Sequence, residues 1–331
     1  MRAGIVGTGF IARVHAGVLR SLGVEVAAVC SRDPARAAEL GTPYDDLDEL
    51  LRSAEIDALH VCTPNALHAE QALHALQRGV HVVCEKPLAV STQESARMVE
   101  AGEGLVTATC FHVRGYPLVE RMRATAPELG EMRVVHGRYF CDDAVREPDG
   151  WRLDPELSGP SYVTFDLGAH WLDLAEHVSG RRIAQVLADF RSFSGGPLED
   201  DATLLLRFDG GAVGSVRLSA LAPGRKNQLL FELEAERGGL TWDQERPDAL
   251  LHRLPDEPTR VVVKDEGGLY PPGHAEGYGE AFRRILGNAY RAIAGKPHDP
   301  FPTFADGHRN MAVLEAAVAS SRSGAWIDVA G

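Results

Sequence analysis

Along residues 1–111, short apolar runs alternate with stretches in which apolar side chains recur every three or four positions. The runs are too short for helices and lack polar alternation, which predicts buried parallel strands at 2–6, 24–30, 57–62, 80–84 and 105–111. The helical period between them predicts the crossovers that parallel strands need. Two helix starts are legible: Asp33-Pro34 as an N-cap with proline at the first helical position, and Ser91 with Glu94 as a capping box.

Beyond residue 115 the period shifts toward two. Strands are predicted at 132–141, 183–193, 202–208, 212–219, 228–236 and 259–264, with Asp209-Gly210-Gly211 as a hairpin turn, and helices at 161–179, 276–294 and 306–322. The chain therefore divides into a parallel α/β domain over 1–115 and a second α/β domain over 116–331 with a large open, mainly antiparallel sheet.

Charge narrows the partners. A net charge of −13 gives no basic arm, which argues against nucleic acid and anionic membranes. No stretch approaches the ~18 apolar residues of a membrane span, and the start is too short for a secretory signal. The five cysteines (Cys30, Cys62, Cys84, Cys110, Cys141) form no C-x-x-C pair, so reduced thiols, a cytoplasmic location and no metal site are expected. Among 34 basic residues only four are lysines: Lys86, Lys226, Lys264 and Lys296. Lysine can release its proton where arginine cannot. Lys86, alone in the first 225 residues, is thereby singled out, and the other three read as surface residues.

Directly after the first strand, Gly7-Thr8-Gly9-Phe10-Ile11-Ala12 forms a G-x-G-x-x-A fingerprint opening a helix. Gly7 permits the tight turn, Gly9 lets backbone approach a pyrophosphate, and the helix N-terminus receives the anion, so Gly7, Thr8, Gly9, Phe10 and Ile11 are candidate dinucleotide contacts on a Rossmann domain. At the end of the second strand, where an acidic residue would bind the ribose of NAD, stand Ser31 and Arg32. An uncharged position followed by a guanidinium favours NADP over NAD.

Two further strand ends carry Thr63-Pro64-Asn65-Ala66-Leu67-His68 and Glu85-Lys86-Pro87. With the glycine loop, these segments resemble the Gfo/Idh/MocA family of nicotinamide-dependent sugar and cyclitol oxidoreductases. Asp166-Leu167-Gly168-Ala169-His170-Trp171-Leu172-Asp173 is similar to that family's D-x-G-x-H-x-x-D motif, although Pro160 departs from its usual glycine-rich lead. The resemblance implies an NAD(P)-dependent dehydrogenase or ketoreductase. It places Thr63, Pro64, Asn65, His68, Glu85 and Lys86 at the cofactor, with Lys86, Asp166 and His170 as the catalytic set. It also implies a homodimer or homotetramer joined through the open sheet.

General chemistry agrees with this assignment. His170 suits proton transfer near neutrality, Lys86 would stabilise charge on the substrate oxygen, and Asp166, four residues before His170 and so on one helical face, would orient the imidazole. Arg114, Trp151, Arg152 and His274 are candidate contacts to a sugar or polyol, alongside Lys86, Asp166 and His170. His15 and His68 are possible cofactor-side residues, whereas His60, His74, His81, Asp173 and His177 read as structural or exposed. Two other readings use the same scaffold: an NAD-dependent glycosidase working by transient oxidation, and a ligand-sensing regulator lacking the catalytic Lys or His.

Overall fold

The structure is a computed structural model that describes residues 1–146, 150–264 and 268–330. It separates into two compact units: Met1–Gly115 with Tyr278–Met311, and Tyr116–Gly277 with Ala312–Gly331. Residues 278–311, on the C-terminal side of the expected boundary, thus pack with the first unit.

The first unit holds six parallel strands, β1 (Arg2–Val6), β2 (Glu25–Cys30), β3 (Thr42–Tyr44), β4 (Ala58–Val61), β5 (His81–Cys84) and β6 (Thr107–Thr109), in the order 3-2-1-4-5-6. That order is the Rossmann arrangement, and its direction reverses between β1 and β4. Strand β3 escapes the sequence reading because Thr42-Pro43-Tyr44 is short and contains proline, which only an edge strand tolerates. Both faces are covered. Ala12, Ala16 and Leu19 of helix Phe10–Ser21 pack with Ile5 and Val29 on one side, and Leu73 and Leu76 of helix His68–Leu76 pack with Leu59 and Val61 on the other.

Helix Tyr278–Ile293 returns to this unit for an identifiable reason. Its Phe282, Leu286 and Ala289 bury against Val18, Val83 and Ala108. The backbone approaches Gly115 so closely that a Cβ there would sit 2.2 Å from the Ala281 carbonyl oxygen.

The second unit is built on nine strands: β7 (Met132–Phe140), β8 (Ile183–Arg191), β9 (Asp201–Phe208), β10 (Val213–Ser219), β11 (Gln228–Ala235), β12 (Gly238–Asp243), β13 (Ala249–Arg253), β14 (Arg260–Val263) and β15 (Ile327–Asp328). All pairs are antiparallel except β7 with β10, in agreement with the mainly antiparallel expectation. Strands β12, β13 and β15 were not expected: β12 opens on two glycines, and β15 is two residues long. Register sorts the faces. One cross-strand row runs Leu187, Leu205, Ser215, His136, Glu232, Thr241, Leu251, Val261, mixing polar and apolar side chains. The opposite face carries buried Leu204, Val216, Phe231 and Leu240 and receives Trp171 of helix Ala169–Ser179, whose indole Nε1 donates to the Leu230 carbonyl at 3.1 Å.

The lysines are less uniform than composition suggests. Lys264 is buried, its Nζ donating to Glu276 Oε1 at 2.7 Å and to the Tyr270 carbonyl at 3.1 Å, so it ties down the 268–277 segment. Lys226 is exposed and pairs with Asp142 at 2.6 Å. The Asp142 carboxyl is thereby held at about 2, with Lys226 as the main cause. All five cysteines are buried and free, and no helix among the described residues is long and apolar enough to cross a membrane.

Gly137, at the centre of β7, is the tightest point of this packing: a Cβ would lie 2.1 Å from the Leu230 carbonyl oxygen and 2.7 Å from Trp171 Nε1. Gly137→Ala is therefore expected to cost about 2–3 kcal/mol. It should be read as a lower urea midpoint at unchanged slope.

Candidate active site

In the first unit, the glycine loop leaves β1 and enters helix Phe10–Ser21. Gly7 sits at φ +103°, where a Cβ would strike the Cys62 carbonyl at 2.5 Å, so only glycine fits. A Cβ on Gly9 would meet nothing within 4 Å. Gly9 is also the N-cap of the helix, with no side chain capping it and no acidic residue in the first turn. Open space above free N–H groups and an uncompensated helix dipole is what a pyrophosphate requires, so the residues present fit a dinucleotide. Phe10 is exposed at the rim, and Ile11 is half-buried.

Thr8 and Ser31 are joined through their hydroxyls at 3.1 Å, which ties the loop to the end of β2. The next acidic residue, Asp33, is occupied in capping its helix by accepting from the Arg36 amide at 3.1 Å, and Arg32 is exposed.

At the ends of β4 and β5, Thr63 donates to Gln71 Oε1 at 2.6 Å, Pro64 is half-buried and Asn65 is buried. His68 is buried, with Nδ1 2.8 Å from the Pro87 carbonyl and Nε2 2.9 Å from the Thr63 carbonyl. Its ring is thus turned to the backbone that carries the two motifs. Desolvation lowers its pKa, and in the neutral form one of the two nitrogens donates. The peptide before Pro87 is cis.

Glu85 and Lys86 follow β5. Glu85 points inward: its Oε1 accepts from His15 Nε2 at 2.9 Å, and Oε2 accepts from the Lys86 amide at 3.3 Å. The fully buried His15 belongs to this interior cluster, not to the cofactor edge. His15, Glu85 and Cys110 also form a group of nitrogen, oxygen and sulfur atoms within 4.8 Å of one another. The His15–Glu85 contact has hydrogen-bond length, and burial pushes the Cys110 thiol well above its ordinary pKa, so the group is arranged as a hydrogen-bonded core. Arg114 is held in an ion pair with Asp306 at 3.1 Å.

The second unit carries the remaining candidates. Asp166 does not lie in the same α-helix as His170. Residues Thr164–Gly168 form a π-turn, and the α-helix starts at Ala169. A π-turn inserts one residue into the ladder, a form found mostly at functional sites. Arg152 Nε pairs with Asp166 Oδ2 at 3.1 Å, and the Arg152 guanidinium lies 4.9 Å from the centre of the Trp151 ring. The structure thus brings Trp151, Arg152 and Asp166 together. His170 is buried, its ring centroid 6.2 Å from that of Tyr139. His274 stands apart on an exposed turn, 3.2 Å from the Pro271 carbonyl.

Sequence reasoning missed Glu199. This buried carboxylate receives the Ser161 hydroxyl at 2.5 Å, the Tyr162 amide at 3.1 Å and the Thr164 amide at 3.0 Å, which caps the π-turn from a different element. Burial raises its pKa against the opposing pull of these three donors. Its place in the acidic run Glu199-Asp200-Asp201 gives no hint of the role.

Residues 1–105 match the family described as "Oxidoreductase family, NAD-binding Rossmann fold", and residues 121–241 match the "GFO/IDH/MocA C-terminal domain". The chain belongs to the Gfo/Idh/MocA family. It is an oxidoreductase with an NAD-binding Rossmann domain. Levoglucosan dehydrogenase of Pseudarthrobacter phenanthrenivorans is 27% identical over 99% of this chain and 98% of its own length. A solved levoglucosan dehydrogenase with NADH and levoglucosan superposes with a TM-score of 0.92 at 27% identity, over 100% of this chain and 99% of that one. An inositol dehydrogenase homolog from Azotobacter vinelandii, complexed with NAD+, gives 0.90 at 30% identity, covering 99% and 97%. D-xylose 1-dehydrogenase (NADP(+)) 2 of Haloferax volcanii is 34% identical over 60% of this chain and 63% of its own.

Removing the Glu199 acceptor orphans three buried donors at a cost of about 1–3 kcal/mol each before relaxation. Glu199→Ala is therefore expected to lower the urea midpoint and to expose residues 158–166 to limited proteolysis.

Proposed function

We propose that the protein is an NAD(P)-dependent dehydrogenase or ketoreductase acting on a secondary alcohol, or the matching ketone, of a sugar, sugar derivative or cyclitol. The observation that carries the reading is the presence of both chemical halves: an open, uncapped glycine loop with Lys86 at the next strand ends, and a π-turn presenting Asp166 and leading into His170. Relatives named as dehydrogenases of levoglucosan and D-xylose, and an inositol dehydrogenase homolog complexed with myo-inositol, support the substrate class.

A dinucleotide held at the Gly7–Ile11 loop would supply the hydride acceptor for the alcohol carbon, or the hydride donor for a ketone. The remaining work falls to the chain. His170 takes the hydroxyl proton, or supplies it in the reverse direction, and Lys86 donates a hydrogen bond to the substrate oxygen as negative charge grows there. Asp166, fixed by Arg152, orients the reacting groups, while Trp151 offers a ring face to the sugar. Ser161, Tyr162 and Thr164 hold that turn through Glu199. His68 serves the cofactor indirectly by holding Thr63 and Pro87, and Arg114 serves the fold through Asp306. His274, on its exposed turn, is free to meet a bulkier part of the substrate.

For the cofactor we favour NADP. Ser31 is uncharged and bonded to Thr8, Asp33 is occupied at its helix, and Arg32 is the exposed cation beside them. Free buried thiols fit a reducing, cytoplasmic setting. Exposed Leu205 and Val261 on the open sheet face support a homodimer or homotetramer.

A panel of sugars, anhydrosugars and inositols assayed for reduced nicotinamide, with NAD and NADP in parallel, tests the reading. Lys86→Met is expected to lower kcat at least about 100-fold while the Kd for the dinucleotide stays within about threefold. Ordinary turnover in that variant, or none with any polyol in the wild type, removes the proposal. Cleavage of an aryl glycoside without net reduction would indicate the glycosidase instead. For the cofactor, Arg32→Ala is expected to lower the NADP:NAD ratio of kcat/KM at least about tenfold, and Ser31→Asp to invert it.

A further inference from the structure

Behind the strand ends of the first unit lies a run of four buried side chains that the reaction itself does not use. Tyr290 Oη is 2.9 Å from His60 Nε2, His60 Nδ1 is 2.8 Å from His15 Nδ1, and His15 Nε2 is 2.9 Å from Glu85 Oε1. Tyr290 comes from helix Tyr278–Ile293, His60 from β4, His15 from helix Phe10–Ser21 and Glu85 from the end of β5. The next residue is Lys86.

The directions of these bonds follow from chemistry. Burial pulls the Glu85 carboxyl upward, but the His15 hydrogen bond and the Lys86 charge outweigh it, leaving the group ionised and able only to accept. His15 must therefore carry its proton on Nε2. With Tyr290 donating to His60 Nε2, the single proton of a neutral His60 sits on Nδ1, so His60 Nδ1–H donates to His15 Nδ1. Desolvation keeps His60 neutral, which leaves its Nε2 to accept from Tyr290, whose phenol burial keeps protonated. Every donor in the run thus points toward one carboxylate, and the tautomer of His15 is locked by His60 and Tyr290.

Around Glu85 stand Cys62, Cys84 and Cys110 at the ends of β4, β5 and β6, with His68, His112 and Lys86. The thiols are pushed far up by burial and stay neutral. Burial likewise lowers His68, and lowers His112 to about 3, so both rings are neutral. The remaining charged neighbour in this set is the Lys86 ammonium, and its backbone amide already donates to Glu85 Oε2.

We propose that His15 is a positioning residue acting through Glu85: it holds the carboxylate as the resident counter-ion of the Lys86 ammonium, so that Lys86 meets the substrate oxygen as a charged donor. The inference rests on the reading of Lys86 as the group beside the reacting oxygen. Lys86 is half-buried, and taking water away from an ammonium disfavours its charge unless an opposite charge stands near.

The scarcity of lysine makes this measurable without a substrate. Trace acetylation with acetic anhydride, followed by peptide mass spectrometry, reports the neutral fraction of Lys86 across about pH 8–11, with exposed Lys296 as internal standard. In Glu85→Gln the Lys86 titration is expected to fall by at least about one unit, which raises its relative reactivity near pH 9 about tenfold. His15→Leu should move it in the same direction, because a buried carboxylate that loses its His15 donor keeps only the Lys86 amide and is held less firmly as the ionised form. His15→Gln, whose amide N–H takes the place of Nε2–H, should restore most of the shift. A Glu85→Gln titration within about 0.3 units of wild type, or equal shifts in both His15 variants, overturns the inference. Should Glu85→Gln not fold, the His15 pair decides. Ordinary turnover in Lys86→Met would remove the functional reading while leaving the labelling result intact. An inactive Lys86→Met with an unmoved Glu85→Gln titration would remove this inference alone.

Discussion

A carboxylate buried away from water is costly unless donors and a counter-charge surround it, and Glu85 imposes that condition on the whole first unit. Meeting it requires side chains from elements far apart in sequence: His15 from the first helix, His60 from a central strand and Tyr290 from a helix that re-enters after residue 277. The hydrogen-bonded run therefore does structural work that apolar packing alone could not specify. It fixes which turn of helix Tyr278–Ile293 lies against β4, while Phe282 and Leu286 supply the bulk of the burial. Because Lys86 is covalently next to Glu85, the same constraint bears on the surroundings of the residue proposed to meet the substrate oxygen.

The second unit solves a related problem with the same kind of group. A π-turn leaves backbone donors at its start that the regular ladder does not satisfy. Glu199 supplies the acceptors from outside the helix, at Ser161, Tyr162 and Thr164. Pro160, which departs from the family's glycine-rich lead, lies just before this cradle, so the stiffer backbone enters a site fixed by three hydrogen bonds. In each unit, then, a deeply placed carboxylate stabilises the segment carrying a candidate reactive side chain, although the geometry differs.

Much of this was legible in the sequence, for reasons that can be named. Parallel strands buried on both faces leave unbroken apolar runs, so β1, β2, β4 and β5 stood out, and glycines required by backbone geometry marked the loop at Gly7 and Gly9. Helix 276–294 was also legible, but not the unit it joins, because amphipathicity reports that a face is buried and not against what. The π-turn was invisible, since Asp166 and His170 at a spacing of four look the same in a continuous α-helix. Glu199 and the Tyr290–His60–His15 run depend on contacts across 35 to 230 residues, which no local pattern records.

The lysine count shows both the strength and the weakness of composition as a guide. Choosing arginine almost everywhere leaves lysine where a compact ammonium, and not a guanidinium fork, is wanted. That argument singled out Lys86, which follows the buried Glu85, and it failed for Lys264, which is buried and bonded to Glu276 instead of lying at the surface. The two cases share a cause. An ammonium presents a point charge that fits beside a single carboxylate oxygen, as at Glu276 Oε1, whereas arginine's planar fork needs two or more aligned acceptors. Rarity therefore marks demand for a point charge, and only the surroundings decide whether that charge holds a loop or faces a reacting oxygen.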